Sequence, residues 1–176
     1  MNMLTEQRIK IAERNVQHYL EDCLVKKSQN DRNVITIMMI NAQESLRMAE
    51  HALQEKSYLW TVVCSYYSMF YVANAVLCVS GYRVGYKVAH KVTADALIVF
   101  VRHKLKQSLI DEYNESKNEA LGLIRADEML EEFEKEREKR SVFQYSTTEL
   151  AKESKAKTSF DRAKRFYGEL SRLAEL

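Results

Sequence analysis

Six residues in this sequence have side chains that could bind a phosphate-bearing ligand or act on one. They are aromatic, cationic or able to titrate near neutral pH, and they form three pairs: Tyr66 with Tyr67, His90 with Lys91, and Arg140 with Tyr145. An arginine can hold a phosphate through two parallel hydrogen bonds, and a tyrosine can stack on a base. One interpretation of these pairs is therefore a groove that binds a nucleotide or RNA.

A second interpretation of the same residues is purely structural. Arg140 and Tyr145 could face one groove if their segment is helical, but Arg140 could equally pair with a nearby glutamate while Tyr145 belongs to the core. Isolated histidines on helices are more often surface or capping residues than catalytic ones, and the four histidines here are scattered along the chain. Spacing alone favours this second interpretation.

The sequence lacks the motifs of several common active sites and metal sites. It contains no phosphate-cradling GxxxxGK[ST], no GxGxxG and no GxSxG. No HExxH motif or paired Cys/His spacing offers metal ligands. We therefore expect no metal and no other cofactor.

The cysteines and the start of the chain indicate a cytoplasmic protein. Cys23, Cys64 and Cys78 are odd in number and lie within helical patterns, so we expect reduced thiols. The first ten residues hold no apolar stretch of the kind found in a signal peptide.

Composition predicts one all-helical domain. The chain has 176 residues, of which 46% are hydrophobic and 30% charged, enough to bury a core and to exclude a largely disordered chain. It has no proline and four glycines, whereas a β-rich fold of this size needs many more turn residues. A net charge of +2 neither favours nor excludes a nucleic-acid partner.

Apolar residues recur at helical spacing through most of the chain. This periodicity predicts a first helix over 4–27, a polar break at 28–33 and a second helix carrying Ile35 to Leu53. The third helix, Tyr58 to Ser80, is apolar on nearly every side, which is typical of the centre of a bundle. It is also long enough to raise the question of a membrane, but its tyrosines and the lack of an anchoring pattern favour a buried core helix and no membrane.

The second half of the chain is less clearly patterned. After a glycine loop at 80–86, a fourth helix is predicted from Ala89 to about Leu105, and residues 107–139 predict one or two helices with a possible interruption at Gly122. Thr158 and Asp161 have the spacing of an N-terminal cap, so we expect the last helix to begin there. The sum is five to seven helices, antiparallel where the loops are short.

The aromatic segment resembles the central helix of a known family. The run Tyr66 to Leu77, YYSMFYVANAVL, resembles the "YYAMF-x-A-x-x-A-L-L" helix of small prokaryotic HEPN-domain proteins (higher eukaryotes and prokaryotes nucleotide-binding). Four further segments resemble family features in the same order: Ala42-x-x-Ser45-Leu46-x-x-Ala49, Ala89-His90-Lys91, Arg140 to Tyr145, and Ala163-x-x-Phe166-Tyr167. The resemblance covers residues 34–176, so residues 1–33 would be an extra N-terminal helix and linker.

The resemblance implies an up-and-down antiparallel helical bundle, usually a homodimer. Many members of the family are ribonucleases or toxins, often encoded beside a nucleotidyltransferase partner. Active members carry an Arg-x4–6-His motif at the dimer interface, where arginine stabilises phosphate charge and histidine moves a proton.

This sequence departs from that motif, because Arg140 is followed by Tyr145 where a histidine is expected. Tyrosine titrates near pH 10 and is a poor base at neutral pH. The leading hypothesis is therefore a nucleotide- or RNA-binding module without efficient ribonuclease activity, in which Tyr66, Tyr67, His90, Lys91, Arg140 and Tyr145 line one groove.

Two alternatives remain open. One is a metal-independent ribonuclease or toxin that uses Arg140 with a displaced base such as His90. The other is an interaction or dimerisation module without a ligand, since the apolar stripe of the first helix must be buried somewhere, either on its own bundle or on a partner.

Overall fold

The computed structural model describes residues 4–137 and 152–174, which form six α-helices and one short β-ribbon. The elements in chain order are α1 (Glu6–Glu21), β1 (Val25–Lys27), α2 (Arg32–Gln54), α3 (Tyr58–Val79), β2 (Tyr82–Val84), α4 (Ala89–Ala96), α5 (Gln107–Arg137) and α6 (Glu153–Ala174). The predicted all-α bundle of five to seven helices is confirmed.

Helix α3 is the centre of the bundle. Because its side chains are apolar on nearly every face, they must be covered on all sides. Helices α2 and α6 provide most of that cover, and α5 packs against it as well. By length and hydropathy α3 could cross a membrane, yet 72% of its most apolar window is buried within the bundle. The prediction of a central core helix is therefore correct.

The helix starts follow from capping residues in the sequence. The Thr5 hydroxyl accepts a hydrogen bond from the backbone N–H of Arg8 at the start of α1. The Asp31 carboxylate accepts from the backbone N–H groups of Asn33 and Val34 at the start of α2. These side chains satisfy donors that the helices themselves leave free, and Asp31 lies in the polar break that the sequence predicts at 28–33.

The first helix is shorter than predicted, because its last three predicted residues form a strand. Helix α1 ends at Glu21. The chain then turns at Cys23, which has a positive φ of 57°, and β1 pairs antiparallel with β2. The predicted loop at 80–86 therefore contains a strand. We call β1 and β2 together the ribbon. Each strand has only three residues, too few for an alternating pattern to show in the sequence.

The helical boundaries in the second half also differ from the predictions. Helix α4 passes into a π-helical turn, Leu97–Val101, and a 3-10 turn, Arg102–Lys104. Residues 107–137 form one helix, uninterrupted at Gly122. Helix α6 begins at Glu153, so the predicted cap at Thr158 is wrong. The Thr158 hydroxyl instead donates to the carbonyl of Ser154 one turn earlier, which is a common way for threonine to be satisfied inside a helix.

Helix α1 packs on its own bundle, against α4 and the π-helical turn. The contact is centred on Asp95 of α4, a carboxylate that is only 2% exposed. Arg8 forms an ion pair with it, Asn15 donates to it at 2.9 Å, and the Tyr19 hydroxyl donates at 3.1 Å. Burial and the charge of Asp95 raise the pKa of Tyr19 to about 12. We call this cluster the Asp95 clasp.

We predict that Asp95→Asn lowers the free energy of unfolding by about 2 kcal/mol, because the hydrogen bonds to a buried charge are lost while the side chain keeps its size. Denaturant unfolding measures this loss. Hydrogen exchange should show that the loss of protection of backbone N–H groups is concentrated in α1.

The control is Asp161→Asn, since Asp161 forms an exposed ion pair with Lys164 one turn away. Its effect should stay within about 0.5 kcal/mol. Equal stability of the two variants would contradict the role assigned to the clasp.

Candidate functional site

An open groove of about 700 Å³ lies beside the middle of α3. Helix α2 forms one wall, and β2 with the start of α4 forms the other. Most of its surface is apolar or aromatic, and a few polar groups converge on it. The lining residues are Val34, Ile37, Met38, Asn41, Tyr67, Phe70, Tyr71, Asn74, Arg83, Val84, Gly85, Tyr86, Ala89 and His90. We call it the aromatic groove.

Rings from α3 surround the imidazole of His90. The centroid of the His90 ring lies 4.7 Å from that of Phe70, 5.5 Å from that of Tyr66 and 5.8 Å from that of Tyr67. Phe70 lies four positions after Tyr66 and three after Tyr67, so its ring is one helical turn from both of them and on the same side of the helix. The aromatic spacing in the sequence therefore builds the pocket that holds this histidine.

One hydrogen bond fixes the orientation of that imidazole. The hydroxyl oxygen of Tyr66 lies 2.7 Å from Nδ1 of His90. Burial raises the pKa of the Tyr66 phenol, while burial and then the nearby Lys117 ammonium lower the pKa of His90. Both shifts favour the neutral form of each group. A tyrosine hydroxyl that donates to Nδ1 leaves the remaining imidazole proton on Nε2, and the ring is then a donor and not a base at that nitrogen.

Asn74 joins α3 to α4 at one wall of the groove. Its amide nitrogen donates to the Phe70 carbonyl at 2.8 Å and lies 3.2 Å from the Thr93 hydroxyl. An amide in an apolar helix must find such partners, since an unpaired buried polar group is costly. The result is a rigid wall in which the positions of Phe70 and His90 are fixed relative to each other.

The outer rim of the groove is formed by the ribbon and by the residues that follow it. The backbone N–H of Gly85 donates to the carbonyl of Leu24 at 2.8 Å, which holds the chain close to β1. The next residue, Tyr86, is 89% exposed. Val88 has a positive φ of 46°, a conformation that is unfavourable for a β-branched residue. Strained backbone of this kind often lies beside binding sites.

The structure brings some of the predicted site residues together. Tyr67 and His90 line the groove, and Tyr66 is fully buried beneath His90. Lys91 is exposed at the start of α4 and is not among the lining residues. Arg140 and Tyr145 lie outside the described residues. The assignment of ligand binding to these six residues stays a prediction.

Sequence reasoning missed two exposed residues of the rim, Arg83 and Tyr86, and one buried charge, Asp95. The first two lie in what reads as an aperiodic loop, where an arginine and a tyrosine on either side of Gly85 were the available signal. Asp95 was detectable as a lone carboxylate in the otherwise uncharged segment from Val92 to Val101. A charge in such a run requires a buried partner.

Several groups of the aromatic groove suit the recognition of bases and phosphates. Among the residues whose side chains the structure describes, no three His, Cys, Asp or Glu side chains are placed to hold a metal ion. Aromatic faces, amides, an imidazole donor and a guanidinium are instead the groups that recognise bases and phosphates.

Comparison with known proteins identified one family. The sequence model described as "HEPN domain" matches residues 36–173, which is most of the chain. Searches of curated proteins and of solved structures found no match. The matched region begins within α2, so α1 and β1 lie before it.

We predict that the burial of His90 makes the fold sensitive to mild acid. Since the pKa of His90 is lowered in the folded state, protons bind the unfolded chain more readily, and stability falls as the pH drops below about 6.5, the usual histidine value. In His90→Asn this loss should be smaller, because the amide keeps an acceptor but does not titrate. Urea unfolding at pH 7.5 and pH 5.0 measures the difference.

His51→Asn is the matched control, since His51 is exposed on α2. It should keep the wild-type pH dependence. An identical loss in wild type and His90→Asn would contradict the prediction.

Proposed function

Because the chain belongs to the HEPN domain family, we propose that it binds a nucleotide or RNA in the aromatic groove. The observation that carries the proposal is an open cavity of about 700 Å³ with His90 in its wall, beside rings that can stack on a base. The family is associated with nucleotides and RNA. To this family association we add a binding place in this chain, the aromatic groove.

The lining groups suit the two parts of a nucleotide. Tyr67, Phe70 and Tyr71 present aromatic surface to a base, and Asn41 offers an amide for its edge. At the rim, the Arg83 guanidinium can bind a phosphate. The Nε2 proton of His90 can be donated to either part. This division of apolar floor and polar rim is typical of small-ligand sites.

We further propose that the protein does not cleave RNA efficiently. The family motif requires a histidine after the arginine, and Tyr145 occupies that position here. His90 is a poor substitute as a base in the tautomer that we propose, in which Nδ1 accepts from the Tyr66 hydroxyl and Nε2 carries the proton. The runner-up remains a metal-independent ribonuclease in which Arg140 acts with His90 in another protonation state.

The proposed oligomeric state is a homodimer. HEPN domains often dimerise, and α2 carries three exposed apolar side chains, Ile37, Ile40 and Met48, with exposed fractions of 57%, 53% and 50%. We call this the α2 outer face. Because Ile37 also lines the aromatic groove, a partner copy on this face would lie beside the bound ligand.

Two further proposals rest on the family resemblance and on the cysteines. The first is a nucleotidyltransferase partner, as in toxin–antitoxin-like pairs. A neighbouring reading frame that encodes a nucleotidyltransferase would support it directly. The second is a cytoplasmic location, consistent with Cys23, Cys64 and Cys78 all being free thiols.

Binding is tested by titrating a labelled ten-nucleotide RNA and a panel of mononucleotides with purified protein at pH 7.5. His90→Asn should weaken binding about tenfold or more, because a hydrogen bond to a charged group contributes about 1.5–3 kcal/mol. His51→Asn should bind like wild type. The absence of binding by wild type, or full binding by His90→Asn, would overturn the proposal.

The same samples discriminate between the two functions. Gel analysis of the RNA should show no cleavage that depends on the protein between pH 5 and pH 9. Cleavage that disappears in both Arg140→Ala and His90→Ala would instead establish the ribonuclease.

The dimer is tested with Ile40→Glu. Light scattering after size exclusion should show a dimer for wild type and a monomer for this variant, because the charge would have to be buried in an apolar contact. Ile11→Glu, at a 37% exposed position on α1, is the matched control and should remain dimeric. A monomeric wild type, or a dimeric Ile40→Glu, would count against this interface.

A further inference from the structure

A second hollow, of about 410 Å³, lies on the other side of the rim of the aromatic groove. Three basic side chains line it, from Lys26, Arg83 and Lys87, and Asp22 contributes one acidic side chain. Lys26, Arg83 and Lys87 are all exposed. We call it the basic hollow.

Two of these charges oppose each other directly across the ribbon. Lys26 of β1 and Arg83 of β2 are register partners in the antiparallel pair. Side chains in that position lie about 5 Å apart at Cβ, and like charges there destabilise the pair. On the opposite face the ribbon is held to the bundle, where Tyr82 stacks on Phe100 with ring centroids 3.6 Å apart. The ribbon thus holds two cations close together, and a bound anion would relieve the electrostatic repulsion between them.

The basic hollow and the aromatic groove are neighbours. Residues 83–86 line both of them, so Tyr86 lies at the boundary between the two. Its ring is 89% exposed, which is unusual for so large an aromatic side chain and suits stacking on a base. The surface therefore runs from base-binding groups, across an exposed aromatic ring, to phosphate-binding cations.

We propose that this continuous surface binds single-stranded nucleic acid, with one base in the aromatic groove and the adjoining phosphodiesters on Lys26, Arg83 and Lys87. A base must leave its stack to enter the groove, so a duplex does not fit this arrangement. The inference rests on the proposed function, extends the binding surface from the aromatic groove to the ribbon, and specifies a single strand as the ligand. Part of the binding surface, Lys26, is then supplied from outside the segment that matches the family.

The test compares AMP with a labelled ten-nucleotide RNA and DNA of one mixed sequence, measured by anisotropy over a range of salt concentrations. A single strand of either sugar should bind at least tenfold more tightly than AMP. The logarithm of its binding constant should fall with the logarithm of salt concentration with a slope of about −2, as expected for three neutralised phosphates on a single strand.

Single substitutions locate the contacts. Lys26→Gln and Arg83→Gln should each weaken strand binding several-fold and reduce the steepness of the salt slope by about 0.7. Lys26→Gln should leave the binding of AMP in the groove largely unchanged. Both variants should be at least as stable to heat as wild type, since a like-charge pair has been removed. Lys10→Gln, an exposed position on α1 that lines neither hollow, is the control and should match wild type.

The outcomes separate this inference from the proposed function. Two results would show that the groove binds a nucleotide but that the ribbon does not bind a strand. The first is that the single strands bind no more tightly than AMP. The second is that Lys26→Gln and Arg83→Gln keep the wild-type salt slope while His90→Asn loses binding. If wild type binds neither AMP nor a strand, the proposed function fails as well. The same ten-nucleotide strand annealed to its complement is measured as well, and binding of this duplex as tightly as the single strand would also overturn the inference.

Discussion

The structure depends on the burial of α3, a helix that is apolar on nearly all of its faces. A helix of this kind cannot lie at a surface, so α2, α5 and α6 must surround it, and their apolar stripes face inward for that reason. The same constraint concentrates aromatic side chains beside α4. Where the cover is incomplete, between α2 and the ribbon, the rings of Tyr67 and Tyr71 line an open groove.

Two polar contacts link this apolar core to the rest of the molecule, and each determines something different. The hydrogen bond between Tyr66 and His90 holds the imidazole at the wall of the groove. The Asp95 clasp holds α1 on α4 and thereby brings β1 to the position where it can pair with β2. Helix α1 therefore matters to the site indirectly, because the ribbon forms the boundary between the aromatic groove and the basic hollow.

Apolar periodicity was enough to predict the helices, because in a bundle each helix buries one stripe and the stripe is visible in the sequence. It could not predict the ribbon, whose two strands have three residues each and are held together by pairing between distant segments. The capping pattern of Thr158 and Asp161 was also misleading, because a hydroxyl with the spacing of a cap can as easily bond one turn back inside a helix. Residue type alone identified Tyr67 and His90 as candidates for the groove. Arg83 and Tyr86 were missed because their role depends on the ribbon.

We propose that His90, held by Tyr66, contacts a nucleotide or an RNA strand in the aromatic groove. NMR can test this contact by following the imidazole C–H resonances of the histidines while single-stranded RNA is added at pH 7.5. We expect a saturable shift of the His90 resonances, with those of the exposed His51 and His103 little changed. Saturable RNA binding that leaves the His90 resonances unmoved, or no binding at all, would contradict it.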